Sequence, residues 1–394
     1  MEKVDRALAL FCEAFGSPAG DVLAVSAPAR SEIAGNHTDH EGGHVVAGAL
    51  NASVTGVACA NGTDRVRVAS EGYPPFEVSL ANLAARPEER LTTAALVRGM
   101  AGCLRETGRA CRGFDLALTS DIPVGGGLSS SAAVEVALGR AMESLWPGDP
   151  VPELVLARMA QRAENAHFGK PCGLMDQLAV TLGGLAFVDF ADVELPRFEK
   201  LGFDFERAGW ALCLVDVGCD HSAFTADYAA VPEEMQQVAL EFGCRRLCEV
   251  DPAAFDERVG ALRERLGDRA VLRAVHYWRE NDLVDRRWHA LREGDMDSFL
   301  ELTRESGASS AMFLQNVSAG GRYQPAMLAH GLAERELGGR GAARIHGGGF
   351  GGSIQAFVPV DAADAFARRM DGWLGEGACR RYAVVEEGAR AEWL

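Results

Sequence analysis

Between Pro123 and Ala132 the chain reads PVGGGLSSSA, a run of residues suited to turning backbone toward an anion. Gly125, Gly126 and Gly127 have no Cβ to bar the conformations in which successive N–H groups converge on one point. Ser129, Ser130 and Ser131 then open a stretch in which Val134, Leu138, Ala141 and Leu145 recur at helical spacing, and the N-terminus of such a helix favours negative charge. The pattern is a phosphate cradle; the plainer reading is a tight strand-to-helix turn with a serine cap. It is not the GxxxxGK[ST] loop, whose lysine and spacing are absent. Lysine is scarce altogether, with Lys3, Lys170 and Lys200 the only ones.

Three further segments concentrate groups that could do chemistry. In ENAHFGKPCGLMDQ (164–177) two acids, Glu164 and Asp176, stand on either side of a Gly-Lys-Pro-Cys-Gly turn. Because the turn reverses the chain, one could hold a metal while the other takes a proton, or each could be a solvated or capping residue. In ARSEIAGNHTDHEGGH (29–44), Arg30, Glu32, Asn36, His37, Thr38, Asp39, His40, Glu41 and His44 crowd beside glycines. Such a density of donors and bidentate acceptors suits sugar hydroxyls. The span contains HEGGH, a formal match to a zinc-protease motif that works only on a helix, and two adjacent glycines argue against that helix. The fourth segment, HGGGFGGS (346–353), is a turn before a strand or a second close approach of backbone to substrate or phosphate.

The elements that must position these groups are partly legible. Helical periodicity covers 4–15 and 91–107, and strands are expected at 22–27, 45–60, 65–69 and 114–119, the last running into the glycine loop. Pro152 opens a helix that carries Glu164 and ends at Gly169. Strands at 184–190 and 211–217 flank a polar stretch, which predicts two lobes, residues 1–200 and 201–394. The second half carries acidic, arginine-rich helices at 231–249, 252–278 and 283–305, then the glycine cluster and a strand at 354–358.

The 394 residues carry a formal charge of -17, with 48% hydrophobic and 24% charged side chains. The charge disfavours nucleic-acid and anionic-membrane binding, which demand a basic surface. No apolar run reaches the roughly 18 residues of a membrane span, and acids lie among the apolar residues of the first segment, where a secretory signal carries none. A cytoplasmic protein is expected. The ten cysteines are scattered without CxxC pairs, as free thiols and not as a zinc or disulfide framework.

In this order and spacing the four segments resemble the GHMP family of small-molecule kinases and, within it, the galactokinases. APARSEIAGNHTDHEGG is similar to the sugar signature, PVGGGLSSSA to the ATP-phosphate loop, ENAHFGKPCGLMDQ to the catalytic segment and ARIHGGGFGGS to the third motif. The resemblance implies a two-lobed α+β fold, with a lobe like domain 2 of ribosomal protein S5 followed by a ferredoxin-like lobe and the site between them. It implies ATP and Mg²⁺ as cofactors and a small-molecule sugar as substrate, phosphorylated at the anomeric hydroxyl by a monomer. Asp176 would be the base, with Arg30 against it and the transferring phosphoryl group. Gly125, Gly126, Gly127, Leu128, Ser129, Ser130 and Ser131 would wrap the phosphates, and Ser130 and Glu164 would hold Mg²⁺. Asn36, His37, Asp39, Gly173 and Tyr228 would contact the sugar, Tyr228 by its seven-residue step from His221.

Two positions depart from the family. Galactokinases carry a glutamate, a contact for the sugar's 6-hydroxyl, where this chain has Asn36, and usually a tyrosine where it has His40. Losing that negative charge makes galacturonate an alternative substrate, and N-acetylgalactosamine is another. TTAALVRGM (92–100) replaces the aromatic segment that helps form the adenine pocket. The alternative of another class is a sensor that binds sugar and ATP without turnover.

Overall fold

The computed structural model describes residues 2–123, 127–219, 224–317 and 321–394. Gly125 and Gly126 of the phosphate loop, and His221, therefore lie outside the described residues. A first helix, α1 (Glu2–Phe15), precedes β1 (Leu23–Ala34), β2 (His44–Ala60), β3 (Arg65–Ser70) and β4 (Phe76–Ser79). Then come α2 (Thr93–Glu106), β5 (Phe114–Ser120), α3 (Ser130–Leu145), α4 (Glu153–Ala163), a π-helical turn at Glu164–Phe168, α5 (Met175–Leu182), β6 (Leu185–Asp189) and β7 (Arg197–Leu201).

Strand β2 explains the first sheet. Its small and β-branched residues are buried almost end to end, the signature of a strand with both faces covered. Strand β1 pairs along one side; on the other, β6 takes the first part (His44↔Asp189 to Gly48↔Leu185) and β5 the second (Val54↔Ser120 to Ala60↔Phe114). Register shifts in β1 fall between Pro28 and Ala29 and between Glu32 and Ala34. Such bulges re-aim side chains, and these bracket Arg30.

The chain crosses to a second sheet at β8 (Trp210–Asp216), followed by α6 (Thr225–Leu240), α7 (Pro252–Leu266), α8 (Asp268–Glu293), α9 (Met296–Ser309), α10 (Pro325–Leu337), β9 (Ala342–His346), β10 (Ser353–Pro359), α11 (Ala363–Leu374), β11 (Cys379–Tyr382) and β12 (Arg390–Trp393). The helices expected at 252–278 and 283–305 are redivided at Gly267 and Gly294, both at positive φ, where glycine ends a helix at low cost. The order β11-β8-β10-β9 is antiparallel throughout, and with α11 between β10 and β11 this is the ferredoxin-like arrangement. Its strands alternate faces. Ala211, Cys213 and Val215 pack with Ala329, Ala333, Phe366 and Met370, while Leu212, Leu214 and Phe357 join the core of the first sheet.

The expected α+β architecture with two sheets is present. The division at residue 200 needs one correction. Strand β12 pairs with β1 (Leu23↔Trp393 to Ser26↔Arg390), so the end of the described chain belongs to the first sheet. Among the described residues no helix is long and apolar enough to cross a membrane.

Candidate active site

Three elements aim their ends at one place. Strand β1 supplies Arg30, the first turn of α5 supplies Asp176 and the N-terminus of α3 supplies the serines. Arg30 Nε and Nη2 donate to Asp176 Oδ1 and Oδ2, each at 2.6 Å, and Nη1 donates to the Gly127 carbonyl at 2.6 Å. This is the bidentate fork that only arginine makes with a carboxylate. Ser129 Oγ also donates to Asp176 Oδ2. Ser129 sits at φ 54°, ψ 56°, a left-handed conformation that costs a non-glycine residue energy and marks functional turns. Burial alone would raise the Asp176 pKa, but the Arg30 charge, its hydrogen bonds and the Ser129 hydroxyl together hold it below the ordinary aspartate value. The carboxylate is ionised and oriented.

Beside it lies an oxygen-rich pocket. Glu164 is buried at the start of the π turn. Its Oε1 accepts from Ser131 Oγ at 3.0 Å and its Oε2 from Gln177 Nε2 at 2.8 Å. The structure thus brings Ser131, not Ser130, to Glu164, and Ser130 is exposed. Consecutive residues on a helix point about 100° apart, so one of two adjacent serines faces the carboxylate. Carboxylate and hydroxyl oxygens are the hard donors a small divalent cation accepts, with phosphate oxygens completing the shell. Gln177 Nε2 also donates to Glu135 Oε2 at 3.0 Å. Burial and the neighbouring Glu164 charge push Glu135 well above the usual carboxylate range.

The third part is the loop from Asn36 to Glu41. His37, at φ 60°, faces the Gly348 carbonyl at 2.9 Å through Nε2 and His40 Nε2 at 3.0 Å through Nδ1. A carbonyl only accepts, so His37 carries its proton on Nε2, its Nδ1 accepts, and His40 is protonated on Nε2. Burial, with His40 alongside, presses the His37 pKa down to about 3, so this ring is neutral. His40 Nδ1 stands 3.8 Å from Asp39 Oδ1. The Tyr228 ring, nearly half exposed, lies 5.4 Å from that of His37. A Cβ at Gly173 would come within 2.8 Å of Asp39 Oδ2. His37, Asp39, Gly173 and Tyr228 are therefore together.

Asn36 differs. It is fully buried; its Oδ1 accepts from Asn316 Nδ2 at 2.7 Å and Ser310 Oγ at 3.1 Å, and its Nδ2 donates to the Gly347 carbonyl. Its amide is spent on tying the loop to the second lobe. The HEGGH span is no helix: Asp39–Glu41 is a 3₁₀ turn, Gly42 is left-handed, and His44 begins β2 facing Asp285 at 2.6 Å. The glycine cluster at 346–353 joins β9 to β10 and backs both loops. Its carbonyls at 347 and 348 take the Asn36 and His37 donors, and a Cβ at Gly127 would lie 3.8 Å from His346 Nδ1.

Residues 95–184 match the family described as GHMP kinases N terminal domain, and residues 9–60 match the galactokinase galactose-binding signature. The galactokinase of Streptomyces coelicolor is 32% identical over 365 residues, spanning 92% of this chain and 90% of its own. The chain belongs to the galactokinase family. A second galactokinase, from Glaesserella parasuis, is 30% identical over 87% of each chain. The crystal structure of Lactococcus lactis galactokinase complexed with galactose superposes with a TM-score of 0.85 at 24% identity over 98% of each chain. A mevalonate kinase structure follows at 0.65 and 13% identity, covering 92% of this chain and 99% of its own, so the fold is that of the GHMP kinases.

For this member of the galactokinase family, reasoning from sequence missed Glu135, Gln177, Ser131 as the partner of Glu164, and Ser129 as a partner of Asp176. Glu135 had a signal, a charged residue between Val134 and Val136 in an apolar run; Gln177, beside Asp176, had none of that kind. Glu41, one of the acids of the 29–44 segment, is fully buried. Its Oε2 accepts from the Leu247 backbone N–H at 3.0 Å, and burial pushes it up to about 7.

Proposed function

We propose that this chain is an ATP-dependent sugar 1-kinase that converts galactose to galactose 1-phosphate, with Asp176 as base. The observation that carries the reading is the Arg30–Asp176 fork set between the phosphate loop and the Asn36–Glu41 loop. The Asp176 carboxylate accepts the proton of the attacking hydroxyl as the phosphoryl group leaves ATP. Arg30 keeps that carboxylate ionised and, from the same position, faces the charge of the transferring group. Phosphoryl transfer needs positioning and charge neutralisation more than covalent help, and every group named supplies one or the other.

The N-terminus of α3, with Gly127 to Ser131, receives the phosphates of ATP, continuing from Gly125 and Gly126. Glu164 and Ser131 hold Mg²⁺; when bound, the ion neutralises phosphate charge. Asp39 and His37 hold ring hydroxyls, Gly173 leaves the room they need, and Tyr228 closes the side of the pocket against His37. Each chain carries all of these groups, so the reading needs no second subunit, and ten cysteines scattered without CxxC pairs fit the reducing cytoplasm.

The test is ADP release from Mg-ATP with galactose, galacturonate, N-acetylgalactosamine, arabinose or no sugar, with the phosphate position read by NMR. Galactose-dependent ADP with phosphate on C1 is expected. Turnover restricted to another sugar would overturn the substrate, and sugar binding without any turnover would make the chain a sensor.

A further inference from the structure

Asp176 and Gln177 are consecutive residues in the first turn of α5, and they reach in different directions. Asp176 meets Arg30 and Ser129 on the sugar side. Gln177, fully buried, spends its amide N–H groups on Glu164 Oε2 at 2.8 Å and Glu135 Oε2 at 3.0 Å, with the Cys172 sulfur 3.5 Å from the same nitrogen. A primary amide has two N–H groups, and two carboxylates engage both. Gln177 presents its amide nitrogen, not its oxygen, to both acids.

Glu135 takes no part in the chemistry proposed above. It is fully buried on α3, one and a half turns beyond the serines, and an acid placed there without a partner is costly. Its Oε2 has one donor, Gln177, and its Oε1 has none among the described residues. The arrangement makes sense as a brace: α3 carries Ser131 to one oxygen of Glu164 and, through Glu135, fixes the amide that holds the other.

We propose that Gln177, anchored by Glu135, is a positioning residue that sets the Glu164 carboxylate for the divalent cation and ties it to the helix turn bearing Asp176. The proposal rests on the reading of Glu164 as a metal-holding residue. Partners of this kind typically change metal affinity 10- to 100-fold when removed. Sugar binding lies on the other side of α5 and stays as it was.

The experiment uses Mn²⁺ as probe. Free Mn²⁺ is measured by electron paramagnetic resonance during titration into the full-length protein with ADP, alongside the Mg²⁺ concentration for half-maximal turnover and the KM for sugar. Gln177→Leu and Glu135→Leu are expected to weaken Mn²⁺ binding about tenfold while the sugar KM is unchanged. Glu135→Gln, which still offers an oxygen to Gln177, is expected to retain most of the affinity. Unchanged Mn²⁺ binding in folded Gln177→Leu, or equal losses in Glu135→Gln and Glu135→Leu, would overturn the proposal. Glu164→Gln separates the two readings. If it weakens Mn²⁺ binding and Gln177→Leu does not, only the brace fails; if it too leaves binding unchanged, the metal assignment of Glu164 fails and the brace with it. Should Gln177→Leu not fold, the contrast between the two Glu135 variants decides.

Discussion

Replacing Arg30 with methionine keeps an unbranched apolar stem and removes the charge and fork, which isolates what the guanidinium does to Asp176. The two side chains meet at 2.6 Å, with Arg30 10% and Asp176 26% exposed. At an effective dielectric of about 20, unit charges about 4 Å apart attract by about 4 kcal/mol. Partial exposure of Asp176 screens some of that, leaving about 3 kcal/mol. In the native protein the folded pKa is depressed, so this pair contributes stability above the unfolded pKa, lost as the pH falls through the folded one. In Arg30→Met only the Ser129 hydroxyl and the Lys170 charge still oppose burial, so the Asp176 pKa rises and the stability its ionisation contributes shrinks. The assay is the pH profile of kcat/KM, taken by coupled ADP detection at high enzyme concentration because turnover falls by about 10²–10³. The acid limb is expected to shift to higher pH, with Arg30→Lys between the two. Carboxyl ¹³C shifts, assigned by difference with Asp176→Asn, report the same titration without turnover. An acid limb and a carboxyl titration that stay where they are in the native protein would refute the reasoning.

Asp176→Asn is expected to lower kcat by about 10²–10⁴, the usual contribution of a general base, while calorimetry still detects sugar binding; near-normal turnover would remove Asp176 from the mechanism. Gly173→Ala places a methyl 2.8 Å from Asp39 Oδ2 and is expected to raise the sugar KM by about tenfold, or 1.4 kcal/mol, with the melting temperature little changed. Glu41→Gln addresses a group whose folded pKa is raised to about 7. The folded state then holds its proton where the unfolded state has lost it, so native stability declines as pH rises from the ordinary glutamate value to about 7. The melting-temperature advantage of Glu41→Gln should grow from pH 5 to pH 8, and a constant gap would contradict it.

Much of the fold was legible because local periodicity governs it. The extents of β2, α2 and β5 follow closely from their residue patterns, as does the passage from strand to glycine loop to helix. What was hidden depends on pairs distant in sequence. No pattern in RAEW (390–393) announces that it pairs with β1, because a four-residue edge strand carries little signal of its own. The long helical runs of the second half were divided wrongly since their arginines and acids blur the apolar stripe, and a single glycine decided each break. The site followed the same rule. Arg30, Asp176, His37, Asp39 and Gly173 lie together because their motifs carry them to one place. Ser131 displaced Ser130 because the facing of adjacent serines depends on helix phase, which residue identity does not reveal. Asn36 proved to be tied to Asn316 and Ser310, partners that lie far along the chain and have no motif of their own.

The pairing of β1 with β12 has a consequence for how the protein folds. It joins strands from opposite ends of the described chain, so the strand bearing Arg30 waits for its outer neighbour until almost everything else has been placed. Contacts of such long separation form late and slow the search. Until then one flank of β1 is an open edge of unpaired N–H and C=O groups, the surface on which extended chains associate. A fragment ending near residue 200 would keep that edge open, so the second lobe also carries the strand that covers the first.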